Sequence, residues 1–203
     1  MTPKESLNDW IVCESGFTLS IQAHDGAYSE PRQSGARYYS SFEIGYPYWL
    51  DDPYLRTALS EVFPGHRRYC IDWAAHPKHN EPWVRKLMEY EEGAGCRDPE
   101  SPEPDPRKNI FCWVPVELVG EIIAANGGVK YGEMPAFDPE QAPLLAESME
   151  LIVDLPVAED GDRGYFYHAK GYIYRKPNPD KSYADYTQAH SKVHTKEGRV
   201  RYD

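Results

Sequence analysis

The 203-residue sequence contains no apolar run near the roughly 18–20 residues that a membrane-crossing helix needs. Its opening residues, "MTPKESLNDWIVCESG", lack the charged-then-apolar order of a secretory signal and carry acids early. Both absences lead us to expect a cytoplasmic protein without a membrane partner. Cysteine is sparse: Cys13, Cys70, Cys96 and Cys112 form no CxxC pair and no dense framework, so free thiols are expected rather than bridges. Phosphate-cradling loops are missing as well, since "GDRG" and "NGG" lack both the Lys and the strand–loop–helix order. No internal repeat is visible, and no cofactor is expected.

What the chain does have is aromatic residues and acid. Sixteen Tyr and five Trp take a large share of its hydrophobic residues. Aromatics with a polar handle serve cores, half-buried sheet faces and interfaces alike. The net charge is −11, unevenly spread. From Arg163 to Asp203 nine Lys or Arg stand against four Asp or Glu, a net of +5, which leaves −16 for Met1 to Asp162. Glu89–Asp105 holds seven acids and one Arg; Glu133–Asp162 holds nine acids and no Lys or Arg. Such a field disfavours direct nucleic-acid binding, which needs cations to release phosphate counterions. It suits a basic partner such as a nucleic-acid-binding protein, and it also serves solubility alone.

The length suits one domain with a core large enough to need no staples. "FTLSIQA" puts Phe17, Leu19 and Ile21 on one face of a strand, and "ARYYSSFEIGYP" alternates again, with Tyr38, Ser40, Phe42 and Ile44 opposite Tyr39, Ser41 and Glu43. "DDPYLRTALSEVFPG" carries helix punctuation, predicting a helix over 52–63 with Asp52 as N-cap and an apolar stripe of Leu55, Ala58, Leu59 and Val62. "NIFCWV" reads as a strand. "VPVELVGEIIAANGG" reads as a helix over 115–126, with Val116, Val119, Ile122 and Ile123 inward and Asn126-Gly127 as its cap. "MELIVDLPV" and "YFYHAKGYIYR" read as two further strands. The expectation is an α+β fold: an antiparallel-rich mixed sheet with two main helices packed on one face. The domain spans 1–175, with a mobile Pro/Glu-rich acidic insertion at 88–109 and a basic tail at 176–203.

Several constellations invite chemistry. "QAHDGAYSEPR" gathers His24, Asp25, Tyr28 and Arg32, where His24 could act as a base beside Asp25 with Arg32 holding an anion. Adjacent residues on extended chain point apart, which favours a hairpin turn instead. A connection this long exceeds the usual two to five or so residues of a hairpin, and long loops of this composition serve recognition. "HRRYCIDWAAHPKH" offers Cys70, His76 and His79, which with Cys96 would make four zinc ligands, though the spacing fits no standard zinc pattern. His66 lies in the same segment, and His190 and His194 stand four apart in "HSKVH" without the Glu of a zincin. No cysteine sits in a nucleophile signature, and no two carboxylates have visibly separated environments.

Two regions together, "LSIQAHDGAYSEPR" with "YYSSFEIGYP" and then "WVPVELVGEIIAANGG", resemble a group of small accessory proteins encoded by phages and mobile elements. In that group a Gln-containing strand, a Tyr/Ser-Pro-Arg loop, a Glu-containing strand ending in Gly-hydrophobic-Pro and a Val-Pro-Val-Glu helix follow in order. The resemblance covers residues 17–47 and 111–128 and brings no catalytic residue with it. It implies an intracellular protein of a mobile element, a setting in which inhibitors of host defence are common. The leading expectation is therefore a non-enzymatic inhibitor of a bacterial defence nuclease complex, of the anti-CRISPR or anti-restriction kind. Its binding residues would be His24, Asp25, Tyr28, Arg32, Glu133, Glu140, Glu147 and Glu150. The alternatives are a metal-dependent hydrolase built on His66, His76, His79 or the His190/His194 pair, and a virion assembly protein that associates through Tyr-rich strands.

Overall fold

The computed structural model describes residues 8–50, 55–56, 69–70, 73, 76–91, 106, 109–152 and 171–180. The backbone runs β1 (Ile11–Cys13), β2 (Phe17–Gln22), β3 (Ser41–Trp49), β4 (Leu55–Arg56), β5 (Tyr69–Cys70) and α1 (Pro82–Met88). It continues through β6 (Ile110–Pro115), α2 (Val116–Ala125), β7 (Val129–Pro135), α3 (Pro143–Glu147), β8 (Glu150–Ile152) and β9 (Ile173–Lys176). Seven strands form one sheet in the order β6-β3-β2-β1-β7-β9-β8, and β4 pairs with β5 apart from it. The fold is α+β. Every strand pairing among the described residues is antiparallel, so the expected mixed sheet is antiparallel throughout.

The alternation in β2 does what it promised: Phe17, Leu19 and Ile21 are fully buried. In β3 the pattern holds from Ser41 onward, with Phe42 and Ile44 in the core, and breaks just before it. There Tyr39 turns inward against the Phe42 ring, while Tyr38 stays at the surface. The helix expected over 115–126 is α2, Val116–Ala125, with Pro115 at the N-cap and Val116, Val119, Ile122 and Ile123 buried. Asn126 follows, its Nδ2 donating to the Ile122 carbonyl, and Gly127 takes φ +87° to turn the chain into β7.

The helix expected over 52–63 is corrected at 55–56, where the backbone is extended and pairs with 69–70; the rest of that span lies outside the described residues. Spacing of apolar residues over a short segment does not separate helix from strand when another strand is in reach to pair with. A different helix, α1, comes from the Pro-interrupted aromatic stretch. Pro82 at its first turn costs no hydrogen bond, and Trp83, Val84 and Leu87 bury one face. Residues 88–91, taken as the start of the acidic insertion, instead close on β6: the Tyr90 carbonyl accepts the Cys112 N–H at 2.8 Å. The remainder of 88–109 lies outside the described residues except Pro106 and Asn109, as do 153–170 and 181–203.

Among the described residues three register shifts interrupt the sheet: one lies between Val12 and Cys13 where β1 meets β7, and the other two each carry a non-glycine residue at positive φ. On β6, Cys112 and Trp113 together oppose Glu43, and Trp113 adopts φ +52°. On β3, Tyr46 and Pro47 together oppose Leu19, and Tyr46 adopts φ +48°. An extra residue in left-handed conformation bends the strand and re-aims a side chain, a device common at sheet rims.

Candidate functional site

The connection between β2 and β3, residues 23–40, folds back on itself. Glu30 pairs with Ser41 as an isolated bridge, so the end of the loop returns beside the strand it enters. Within it His24 is 6% exposed, and its Nδ1 accepts the Gly26 N–H at 3.0 Å. Burial lowers the His24 pKa to about 4, an effect opposed by the nearby Asp25 carboxylate and reinforced by Arg32. The imidazole is therefore neutral at physiological pH.

A base oriented by a carboxylate needs its Nδ1 to donate to that carboxylate. Here Nδ1 is an acceptor, and Asp25 Oδ1 lies 3.8 Å away. Asp25 instead receives the Ser34 hydroxyl at 2.9 Å, and its carbonyl receives Arg32 Nε at 3.0 Å. The four residues singled out in "QAHDGAYSEPR" are thus brought together as a brace and not as a dyad.

Tyr28 carries the brace to the sheet edge. Its N–H donates to Glu43 Oε2 at 3.0 Å, and its carbonyl accepts the Trp113 N–H at 2.9 Å. The Tyr28 and Trp113 rings meet edge-on at 5.1 Å, and the Arg32 guanidinium lies 5.5 Å over Tyr28. Trp113 remains 47% exposed at the end of this stack. Sequence reasoning missed it, because a Trp inside "NIFCWV" looks like any core aromatic and the bulge that turns it outward has no local signature.

The acidic candidates separate into two kinds. Glu133 is fully buried, its carboxylate held by Arg175 from β9 and by the Asp9 N–H at 3.2 Å. It presents no surface to a partner. Glu140, Glu147 and Glu150 are exposed around α3. Beside them an apolar groove of about 450 Å³ opens between α2 and the 141–148 segment. Glu117 and Glu121 stand on its α2 side, and Leu144, 80% exposed, on its α3 side. The sequence signal for this groove is slight: "APLLAES" places two leucines on one short helix, of which Leu145 is buried and Leu144 exposed.

The histidines of the candidate metal set do other work. His76 is sandwiched between Trp73, at 4.8 Å, and Trp49, at 5.0 Å, and its Nδ1 accepts the Lys78 N–H. His79 meets the Trp73 ring edge-on at 5.8 Å. This cluster continues through Trp49 to Phe17 and Trp83, joining the 76–80 segment to the core. His66, Cys96, His190 and His194 lie outside the described residues, and of Cys70 only the backbone is described. Among the described residues no three His, Cys, Asp or Glu side chains converge as metal ligands. Cys13 is buried, its thiol pushed up to about 12 by desolvation with the Glu14 charge adding to it, and Cys112 is buried also. The raised Cys13 pKa is the opposite of what a nucleophilic thiol needs.

No helix among the described residues is long and apolar enough to cross a membrane. Comparison with known protein families, curated proteins and solved structures finds no match to this chain.

Proposed function

We propose that this chain is a binding protein that engages a basic, nucleic-acid-binding partner through acidic and apolar surface. In the setting that its phage-like segments imply, that partner is a bacterial defence nuclease complex, which the chain inhibits in the host cytoplasm. One observation carries the reading: Glu140, Glu147 and Glu150 are all exposed around a helix that also holds out Leu144 at 80% exposure. Acids supply steering and selectivity for a cationic surface, while apolar contact supplies affinity. Beside that acidic face, an apolar groove of about 450 Å³ lined by Leu144 and Leu145 supplies the surface such a contact would bury.

The test is a tagged pull-down from bacteria that express defence systems, washed in rising salt and read by mass spectrometry. The reading expects one nuclease or its complex, retained by the native chain and released at lower salt from a Glu140→Gln/Glu147→Gln/Glu150→Gln variant. Equal retention by the two chains, or no capture by soluble folded bait, overturns it.

A further inference from the structure

The groove between α2 and the 141–148 segment has the shape and the charge of a helix-docking site. Its floor is aliphatic, with Ile123, Val129, Ala142 and Leu145 contributing. Gly120 leaves α2 bare on this side, so the chain at Ala142 passes close, its Cβ 3.6 Å from where a Gly120 Cβ would stand. The exposed Leu144 extends the apolar surface beyond the rim.

Only two of the thirteen lining residues are charged, Glu117 and Glu121, and both are acidic. Glu121 also holds Lys86 of α1 at 2.5 Å, a bridge more than half exposed that competing cations can replace. Glu140 and Glu147 add exposed negative charge on the α3 side.

Resting on the reading above that the chain binds a basic protein, we propose that this groove receives a basic amphipathic helix of the partner. The helix lays its apolar face into the groove and sets its cations against Glu117 and Glu121. Charge complementarity selects this occupant. Anionic lipid and nucleic acid are repelled, and a second copy of this chain would bring like charges together across the groove. The ten residues of α2 span about 15 Å, which matches two to three turns of an opposing helix with apolar anchors at i, i+3 or i+4, and i+7.

The probe is a fluorescein-labelled Leu–Lys peptide of about 14 residues with helical amphipathic spacing, titrated with the full chain by fluorescence anisotropy. The controls are a scrambled Leu–Lys peptide and a Leu–Glu peptide of the same apolar pattern. Saturable binding of the first alone is expected, weakened by salt and by Glu117→Gln/Glu121→Gln. Leu144→Ser, which removes exposed apolar surface, and Ala124→Trp, which fills the groove from an exposed helix position, each weaken it roughly tenfold. Urea unfolding confirms that both variants are folded. Equal binding of the Leu–Glu peptide, unchanged binding by either groove variant, or a concentration-dependent dimer abolished by Leu144→Ser overturns the proposal. If the groove variants keep a captured nuclease complex that the triple Gln variant loses, the groove is wrong and the acidic-surface reading stands. If the triple variant keeps it, the broader reading falls first.

Discussion

The guanidinium of Arg175 closes on one carboxylate oxygen of the fully buried Glu133, from Nε at 2.8 Å and from a terminal nitrogen at 2.5 Å. The other oxygen takes the Asp9 N–H, so one side chain joins β7, β9 and the segment entering β1. Removing one member of a buried pair leaves an uncompensated charge, which costs about 3–5 kcal/mol. Arg175→Met is expected to lose stability on that scale in urea unfolding. Adding Glu133→Gln to it recovers a large part, because the orphaned charge is gone. Additive losses in the double-variant cycle would show that the two side chains are not coupled.

His24 makes stability depend on pH. Its pKa falls from 6.5 to about 4 on folding because the ring is buried, so as pH drops the unfolded chain takes up the proton first. The stability carried by the neutral imidazole is complete above the unfolded value and is lost as pH falls toward the folded one. The slope is at most about 1.4 kcal/mol per pH unit. Urea midpoints measured between pH 8 and pH 4 are expected to fall in that window. His24→Asn keeps an acceptor for the Gly26 N–H and flattens this contribution. An imidazole titrating near its unfolded value by NMR would contradict it.

Gly132 has no room for a side chain. At φ +136° its added Cβ would stand 2.4 Å from the Trp10 carbonyl oxygen and 2.7 Å from Ile11 Cα, both backbone atoms of the adjoining chain. Neither can yield without parting β1 from β7. Gly132→Ala is expected to cost about 3 kcal/mol or more and to lower the thermal midpoint accordingly. Gly128, also at positive φ but with open space around its Cβ position, is the control, and Gly128→Ala should cost only the backbone strain of about 1 kcal/mol.

These residues also mark where the sequence could be read and where it could not. Phe17, Leu19 and Ile21 in β2, and the stripe and cap of α2, obey local periodicity and were legible because each is decided within one element. Glu133 was not, because its partner Arg175 lies 42 residues downstream and nothing in the acidic run distinguishes a paired carboxylate from a solvated one. The helix expected over 52–63 and the unexpected α1 fail for the same reason. Pro82 and Trp83 lie in an aromatic stretch interrupted by proline, where no local period decides the element and packing against Phe17 does. Of the candidate surface, Glu140, Glu147 and Glu150 were legible as acid, but the groove beside them exists only once α2 and α3 are set side by side.

Trp113 holds a left-handed conformation that costs a bulky residue roughly 1–2 kcal/mol. The Tyr28 edge contact returns about 0.5–1.5 kcal/mol, so the fold gains little net from this side chain. Trp113→Gly removes both terms and is expected to leave stability within about 1 kcal/mol of the native chain. Trp113→Val keeps the strain, worsens it through β-branching and loses the ring contact, so it should fall about 2 kcal/mol below the glycine variant. Urea unfolding of the two variants separates the contributions. A glycine variant as destabilised as the valine one would mean that the indole is needed for the fold. A near-neutral glycine variant means that a tryptophan is held outward at the sheet edge, beside Tyr28 and Arg32, at no benefit to folding.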